Sequence, residues 1–415
     1  MLQIFPYSFM KLVIANVCGA ANKGDAALLE ALVAFLEENG ISKKEMTGIA
    51  LCPDMQEIHM PDLTWYERPL TSHAENMLKR RVANLLLWIL FLTYYLLPLK
   101  FLLIYLFPKS QQQAIRALHN ADVVVSCPGG YLEDSNFSYV TNCIQLLLAS
   151  RKGNKVVLAP QSIGPVRGGL GKWLIGKVVK QAALVYARDE DSIECIKNIN
   201  NGQCPSHVLR AGDMALWHIR DANAPQPVCP IPDIKPIIGL SIIDWNFPSS
   251  TNSQALKKRY LNELAIIVKR VAAVEGVCVC VNQVSWDLHI ASQLKELVPP
   301  GSLIIDEGEH TASSLRKMIS GFSSFVGSRL HSCIFALLED IPVIALAYLP
   351  KTVGIFGDLG LLSQVRYIET FSGEEVADHV LSSFQNEGFA EAAENYRSRN
   401  NLSEFSKILT AYRKA

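Results

Sequence analysis

The sequence predicts an α/β protein built as two Rossmann-like domains that face each other across a cleft. Three observations carry that expectation. Short runs of β-branched residues alternate with longer helical patterns through most of the chain, as a parallel sheet covered on both faces requires. The stretch from Asp221 to Lys235 is rich in proline and has no periodicity, which makes it the best linker. Beyond it the same strand-then-helix grammar starts again. At 415 residues the chain also exceeds what one core comfortably serves.

The elements follow in order. Lys11 to Val17 reads as a buried strand, then comes the small-residue turn Cys18 to Asp25, then a helical run from Ala26 to Glu38. Further strands are expected at Thr47 to Leu51, Asp122 to Ser126, Lys155 to Ala159 and Leu184 to Ala187. Helices are expected near 111–119, 136–151, 169–181 and 189–198. After the linker, strands are expected at Pro236 to Ile243, Val277 to Asn282, Ser302 to Ile305, Ser324 to Val326 and Val343 to Ala347. Helices near 253–273, 286–296, 311–319 and 330–339 separate them. This divides the chain into an N-terminal domain over 1–220, a linker over 221–235, a C-terminal domain over 236–373 and a helical segment over 374–415, which packs along the second domain or bridges back to the first.

One segment departs from this grammar. From Leu85 to Phe107 the apolar run is broken only by Thr93, Pro98 and Lys100, and Lys79-Arg80-Arg81 precedes it. Its length suits a bilayer span, but a single crossing would divide one sheet between two sides of a membrane. The reading that reconciles both facts is a hydrophobic insert over 82–108 that forms a re-entrant or surface-lying helical hairpin at a membrane, with the basic triplet toward anionic lipid. A hairpin buried within the protein or at an interface between copies, and a true span, are the alternatives.

Composition excludes several classes. The chain carries 39 basic and 39 acidic side chains, so no global field recruits nucleic acid. Its content of 49% hydrophobic and 19% charged residues supports buried cores. The ten cysteines form no CxxC pair and no close quartet with histidine, so reduced cysteines and no metal site are expected. Met1 to Met10 lacks the basic flank of a secretory signal. A cytoplasmic protein at the inner face of the membrane fits these features, and a homo-oligomer stays open.

The candidate chemistry lies at strand-to-helix junctions. Asn22-Lys23-Gly24-Asp25 sits at the first helix N-terminus, where free N–H groups receive anions and Gly24 permits close approach. It is neither GxGxxG nor a Walker A loop, so hydride transfer to a dinucleotide has little support and no cofactor is expected. Asp25 is either a helix cap or a ligand-facing group. Gly129 and Gly130 follow the valine-rich strand as a tight loop beneath a bound group, with Glu133 and Asp134 able to contact hydroxyls or act as a base. Gln161 and Ser162 fall at the end of the next strand. Arg188, within Ala187-Arg188-Asp189, needs an anion or an acid partner there. The strongest pair is Arg329 and His331, after strand Phe325-Val326-Gly327. Leu330 between them can turn inward, the guanidinium suits a carboxylate or phosphate, and the imidazole can move a proton near neutral pH. Tyr348 lies on the next rim, and Gln283, Trp286 and Asp287 could recognise a sugar.

Taken together, Asn22-Lys23-Gly24-Asp25, Pro128 to Asp134, Pro160 to Pro165, Ala187 to Ser192 and Ser328-Arg329-Leu330-His331-Ser332 resemble the polysaccharide pyruvyl transferase family. The resemblance implies a GT-B-like fold and transfer of an enolpyruvyl-derived group from phosphoenolpyruvate to two hydroxyls of a saccharide, free or lipid-linked, with release of phosphate. It brings Arg329, Leu330 and His331 to the substrate, with Arg329 as a phosphoenolpyruvate ligand and His331 as the acid. It makes Arg188 a second anion contact. The base stays open among Asp25, Glu133 and Asp134. A glycosyltransferase using a nucleotide sugar and a non-catalytic assembly subunit at the membrane are the rival readings.

Overall fold

The computed structural model describes residues 10–71, 76–96, 104–150, 155–220, 236–248, 250–382 and 388–413. The chain divides into two compact units, one of Met1–Ala20, Leu28–Met214 and Asn401–Ala415, the other of Ala21–Ala27 and Ala215–Asn400. The linker expected over 221–235 lies outside the described residues.

The first unit is built on an eight-stranded sheet. Its strands are β1 (Leu12–Val17), β2 (Met46–Ala50), β3 (Thr64–Glu67), β4 (Val123–Ser126), β5 (Gly129–Leu132), β6 (Lys155–Ile163), β7 (Leu184–Ala187) and β8 (Val208–Arg210). They run in the order β3-β2-β1-β4-β6-β7-β8, with β5 paired to β6, and every pairing is parallel. β1, β4 and the first half of β6 are apolar without alternation because helices cover both faces. Gly129 and Gly130, expected in a tight loop, instead form β5: Gly129 takes φ +146°, open to glycine, and pairs with Gln161.

The second unit repeats the plan with six strands, β9 (Ile237–Ser241), β10 (Val277–Cys280), β11 (Leu303–Ile305), β12 (Ser324–Gly327), β13 (Val343–Ala347) and β14 (Val365–Tyr367). Their order is β11-β10-β9-β12-β13-β14, again all parallel. This is the 3-2-1-4-5-6 order of the Rossmann fold, with a reversal between β9 and β12. The expected helices appear as Ser253–Ala273, Leu288–Lys295, Ala312–Ile319 and Leu330–Leu338.

The apolar insert begins as a helix over Met77–Leu96, and a short turn over Ile104–Leu106 leads into the helix Lys109–Asn120. The intervening residues 97–103 lie outside those described. Leu87, Trp88 and Leu90 pack on the core of the first unit, whereas Leu85, Leu86 and Ile89 are exposed. Among the described residues no helix is long and apolar enough to cross a membrane.

The helical tail resolves into Gly373–Ser382, Phe389–Arg399 and Ser403–Arg413. The last belongs to the first unit. Phe405 is fully buried there, its ring 5.3 Å from that of Phe35, and its N–H donates to the Tyr186 hydroxyl at 3.3 Å. Removing a buried ring of this size costs about 3–5 kcal/mol. Phe405→Ala is therefore expected to lower the urea stability of the first unit by that amount, read from the signal of its own aromatic residues. An unchanged midpoint would show that the final helix is not part of that core.

Candidate active site

In an open parallel sheet, ligands bind outside the carboxyl ends of the strands where the strand order reverses. In the second unit that point lies between β9 and β12, and the junction 327–332 occupies it. Ser328 N–H donates to the Ser241 carbonyl at 2.7 Å, and its hydroxyl lies 2.8 Å from that of Tyr260. Burial pushes the Tyr260 phenol well above its usual range, so it stays protonated as a hydrogen-bonding post. A side chain at Gly327 would meet Cys333 Sγ at 2.5 Å, which explains glycine at the tightest part of this turn.

Arg329 stands immediately before the helix Leu330–Leu338. Its Nε and Nη2 donate to Asp287 Oδ2 at 2.8 and 2.7 Å. Asp287 Oδ1 accepts from the Asp244 N–H at 3.0 Å. Burial raises the Asp287 pKa and the Arg329 charge opposes it, as expected for an acid whose charge is kept by its partner. Burial also raises the pKa of Tyr348, whose hydroxyl bonds to Arg329 and whose ring lies 4.8 Å from that of Trp245. Arg329 is thus held in place by a carboxylate and a phenol, while Nη1 meets no acid among the described residues.

The Asn22–Asp25 turn belongs to the same unit. Gln283 ties it down: its carbonyl accepts from Lys23 N–H at 3.2 Å, and its Nε2 donates to Asn22 Oδ1 at 3.2 Å. Its Oε1 accepts from the Ser332 N–H at 3.0 Å and hydroxyl at 2.5 Å. Gly24 consequently lies against His331, and a Cβ there would sit 2.1 Å from the imidazole Nδ1. The His331 side chain is itself buried, at 9% exposure. Lys23 is 2% exposed and pairs with Glu309 at 3.0 Å. The loop carrying Glu309 is shaped by a buried pair, His310 Nε2 to Asp306 Oδ2 at 2.7 Å, and Asp306 also accepts the Gly308 N–H at 3.0 Å. Asp25 accepts from Asn22 Nδ2 at 3.1 Å across the turn. The geometry therefore brings Gly24, Asp25, Arg329, His331 and Tyr348 into one unit, engages Gln283 and Asp287, expected to recognise a sugar, in internal bonds to the Asn22 turn, Ser332 and Arg329, and adds Glu309 as the partner of Lys23. Leu330 is 3% exposed and lies in the core.

The remaining candidates lie in the first unit and are bonded internally. Arg188 is 4% exposed; its Nε and Nη2 donate to Ser162 Oγ at 3.0 and 2.7 Å, and Nη1 lies 3.1 Å from Asp213. Ser162 in turn donates to Asp189 at 2.5 Å, and Asp189 caps the helix Glu190–Ile199 through Ser192 N–H at 2.8 Å. Gln161 Nε2 donates to Ser126 Oγ at 2.5 Å and to the Cys127 carbonyl at 3.0 Å. Gly130 is exposed beside Ser162. Asp134 accepts from the N–H groups of Arg167 and Gly168 at 2.9 and 2.6 Å, at the start of the helix Gly169–Gln181.

Two measurements follow. Burial alone would raise the Asp134 pKa, but the N–H groups of Gly168 and Arg167 outweigh it and hold the carboxyl below its usual range. A depressed folded pKa adds stability above the ordinary carboxyl range, lost as pH falls through the folded value. The Tm gap between wild type and Asp134→Asn should be widest near neutrality and close in acid; a gap independent of pH would contradict the clamp. Gly24→Ala should shift the imidazole resonances of His331 in NMR while leaving circular dichroism unchanged, and unmoved His331 signals would contradict the contact.

A sequence model of the polysaccharide pyruvyl transferase family matches residues 22–350. No curated protein matches the sequence significantly. Among solved structures, the UDP-N-acetylglucosamine 2-epimerase of Neisseria meningitidis, bound to UDP-GlcNAc, is similar over 96% of this chain and 98% of that one, at 12% identity and TM-score 0.54. The putative UDP-N-acetylglucosamine 2-epimerase of Listeria monocytogenes matches over 92% and 91%, at 12% identity and TM-score 0.55. The glycotransferase of kitacinnamycin matches over 97% of both chains, at 11% identity and TM-score 0.53. At such identities the likeness carries the fold alone, a GT-B-like pair of Rossmann-type units. The matched region runs from the Asn22 turn through the Arg329–His331 junction to the rim beyond Tyr348, and by that match this chain, a transferase-type enzyme of polysaccharide biosynthesis, belongs to the polysaccharide pyruvyl transferase family.

Proposed function

We propose that the protein transfers the pyruvyl group of phosphoenolpyruvate to two hydroxyls of one saccharide unit, forming a cyclic ketal and releasing phosphate. The observation that carries this reading is the packing of the His331 imidazole against Gly24 beside an arginine fixed by Asp287. It supports a site in which one group delivers a proton next to a bound anion. Arg329 offers Nη1 to the carboxylate or phosphate, a charge-assisted contact of defined direction.

The reaction balances without a redox partner. His331 donates a proton to the methylene carbon of phosphoenolpyruvate, and the neighbouring carbon gains positive character. One sugar hydroxyl adds there and its proton passes to a base, for which we take Asp25, next to Gly24 in the turn that packs on His331. The bond between that carbon and the phosphate oxygen then breaks, phosphate departs with the electron pair and the proton held by the base, and the second hydroxyl adds to the carbon to close the ketal, its proton returning to His331. Arg329 counters negative charge that builds on the leaving group. Arg188, with its charge balanced by Asp213, acts in this scheme as a support for the Ser162 strand end. The acceptor is a lipid-linked saccharide, used at the cytoplasmic face of a membrane.

Incubation with phosphoenolpyruvate and a panel of lipid-linked saccharides should release phosphate and yield an acid-labile ketal with a new methyl resonance. His331→Ala should lower the rate by about 10²–10⁴-fold. Arg329→Lys should raise KM for phosphoenolpyruvate more than it lowers kcat, because an ammonium cannot bond Asp287 through two donors and still direct a third at the anion. Consumption of a nucleotide sugar with no phosphate released from phosphoenolpyruvate would replace this reading by glycosyl transfer.

A further inference from the structure

The direction of its crossovers gives the first unit one face made of neighbouring helices. From β3 the chain moves across the sheet one way only, to β4 through the helix Lys109–Asn120, to β6 through Ser138–Ser150 and to β7 through Gly169–Gln181. Right-handed crossovers put these three helices on one face, while the step from β1 to β2, taken the other way, puts Lys23–Glu38 on the opposite one. The inner sides of the three share a core with Leu87, Trp88 and Leu90 of the helix Met77–Leu96, so the apolar insert belongs to the same face. The Trp88 ring lies 6.2 Å from that of Phe137, just ahead of Ser138–Ser150.

Outward, this face is apolar and basic together. Phe137, Leu170 and Trp173 are each more than half exposed, and Leu78, Val82, Leu85 and Ile89 form an exposed stripe at helical spacing. Two exposed rings stand beside a cation: Lys177 Nζ is 5.3 Å from the centre of Trp173, and the Arg116 guanidinium is 5.5 Å from that of Tyr105. The sequence sets the sign of the surface. Between Glu75 and Asp189 there are fourteen lysines and arginines against three acids, Asp122, Glu133 and Asp134, in a chain whose charges balance as a whole. Acids return on the helix Glu190–Ile199, where exposed Glu190, Asp191 and Glu194 mark the limit of the basic surface.

We propose that this face docks on the surface of an anionic bilayer, with Leu170 and Trp173 at headgroup depth as an anchor additional to the insert helix, and with Arg167, Lys172 and Lys180 toward lipid phosphates. Both components of the surface select this occupant. Clustered cations favour a negatively charged surface, and an indole with an ammonium in reach suits the zone between water and hydrocarbon. A second copy placed on the same face would bring like charges together, and nucleic acid has no apolar layer to take up Leu170. The inference goes beyond pyruvyl transfer and does not rest on it, since docking needs neither phosphoenolpyruvate nor a saccharide.

Co-sedimentation of the full-length protein with vesicles of phosphatidylcholine alone, and of an equimolar mixture with phosphatidylglycerol, tests it. The mixed vesicles should bind about tenfold or more tightly, a preference that added salt removes. Trp173→Phe should bind as the wild type does yet lose part of the blue shift that vesicles induce in tryptophan emission. Replacing both anchors, Leu170→Glu with Trp173→Glu, should weaken binding to mixed vesicles by about tenfold or more, and Lys172→Glu with Lys180→Glu should reduce the preference for them. All four of these side chains are exposed, and far-UV circular dichroism confirms that each variant is folded. Equal or absent binding to the two vesicle types would overturn the proposal. So would unchanged binding by the Leu170→Glu, Trp173→Glu protein, which leaves the insert as sole anchor, or self-association abolished by those substitutions without any vesicle binding, which gives the face to a second copy.

Discussion

Gln283 is the residue on which the arrangement around His331 depends. One buried amide and its own carbonyl hold two segments far apart in sequence, the Asn22 turn and the start of the helix at Leu330. Each such bond contributes only about 0.5–1.5 kcal/mol net, but each buried partner left unmatched costs about 1–3 kcal/mol. The asymmetry makes the junction close to all-or-none. With Gln283 bonded on both sides, Gly24 and His331 have one relative position, set within the contact distance of a missing Cβ.

Arg188 and Arg329, each at the end of a strand, are held in opposite ways. In the first unit, Arg188 is matched by Asp213 and Ser162 and joined through Ser162 to the Asp189 cap, so its charge is absorbed and its geometry stiffens the ends of β6 and β7. In the second unit, both donors of Arg329 converge on one oxygen of Asp287. A carboxylate used this way orients the guanidinium while leaving part of its fork for another anion. Burial of Asp287 works in the same direction, since a desolvated acid holds its cation more firmly than a solvated one.

The sheets were legible in the sequence because their central strands are uninterrupted apolar runs, and the alternation with helices left one topology class open. β3, β8 and β14 escaped because they are short edge strands, partly exposed and of mixed polarity: Thr64–Glu67 contains no residue that is fully buried. β5 escaped because a Gly-Gly pair reads as a turn. The Arg329–His331 junction was legible from its place after a strand. Its supports were not, since Asp287 lies 42 residues from Arg329 and Glu309 lies 286 from Lys23, separations that no local pattern spans. Arg188 shows the converse: the need for an acid partner was plain, while its choice of Asp213 is a matter of tertiary packing.

The last helix gives the chain an unusual order of completion. The core of the first unit needs Phe405 and Leu409, which leave the ribosome only after the whole of the second unit has been synthesised. Domains generally fold as they emerge, the N-terminal one first. Here the first unit to be made is the last to be finished, and until then the surface that receives Phe405 is an open hydrophobic face for a chaperone to guard.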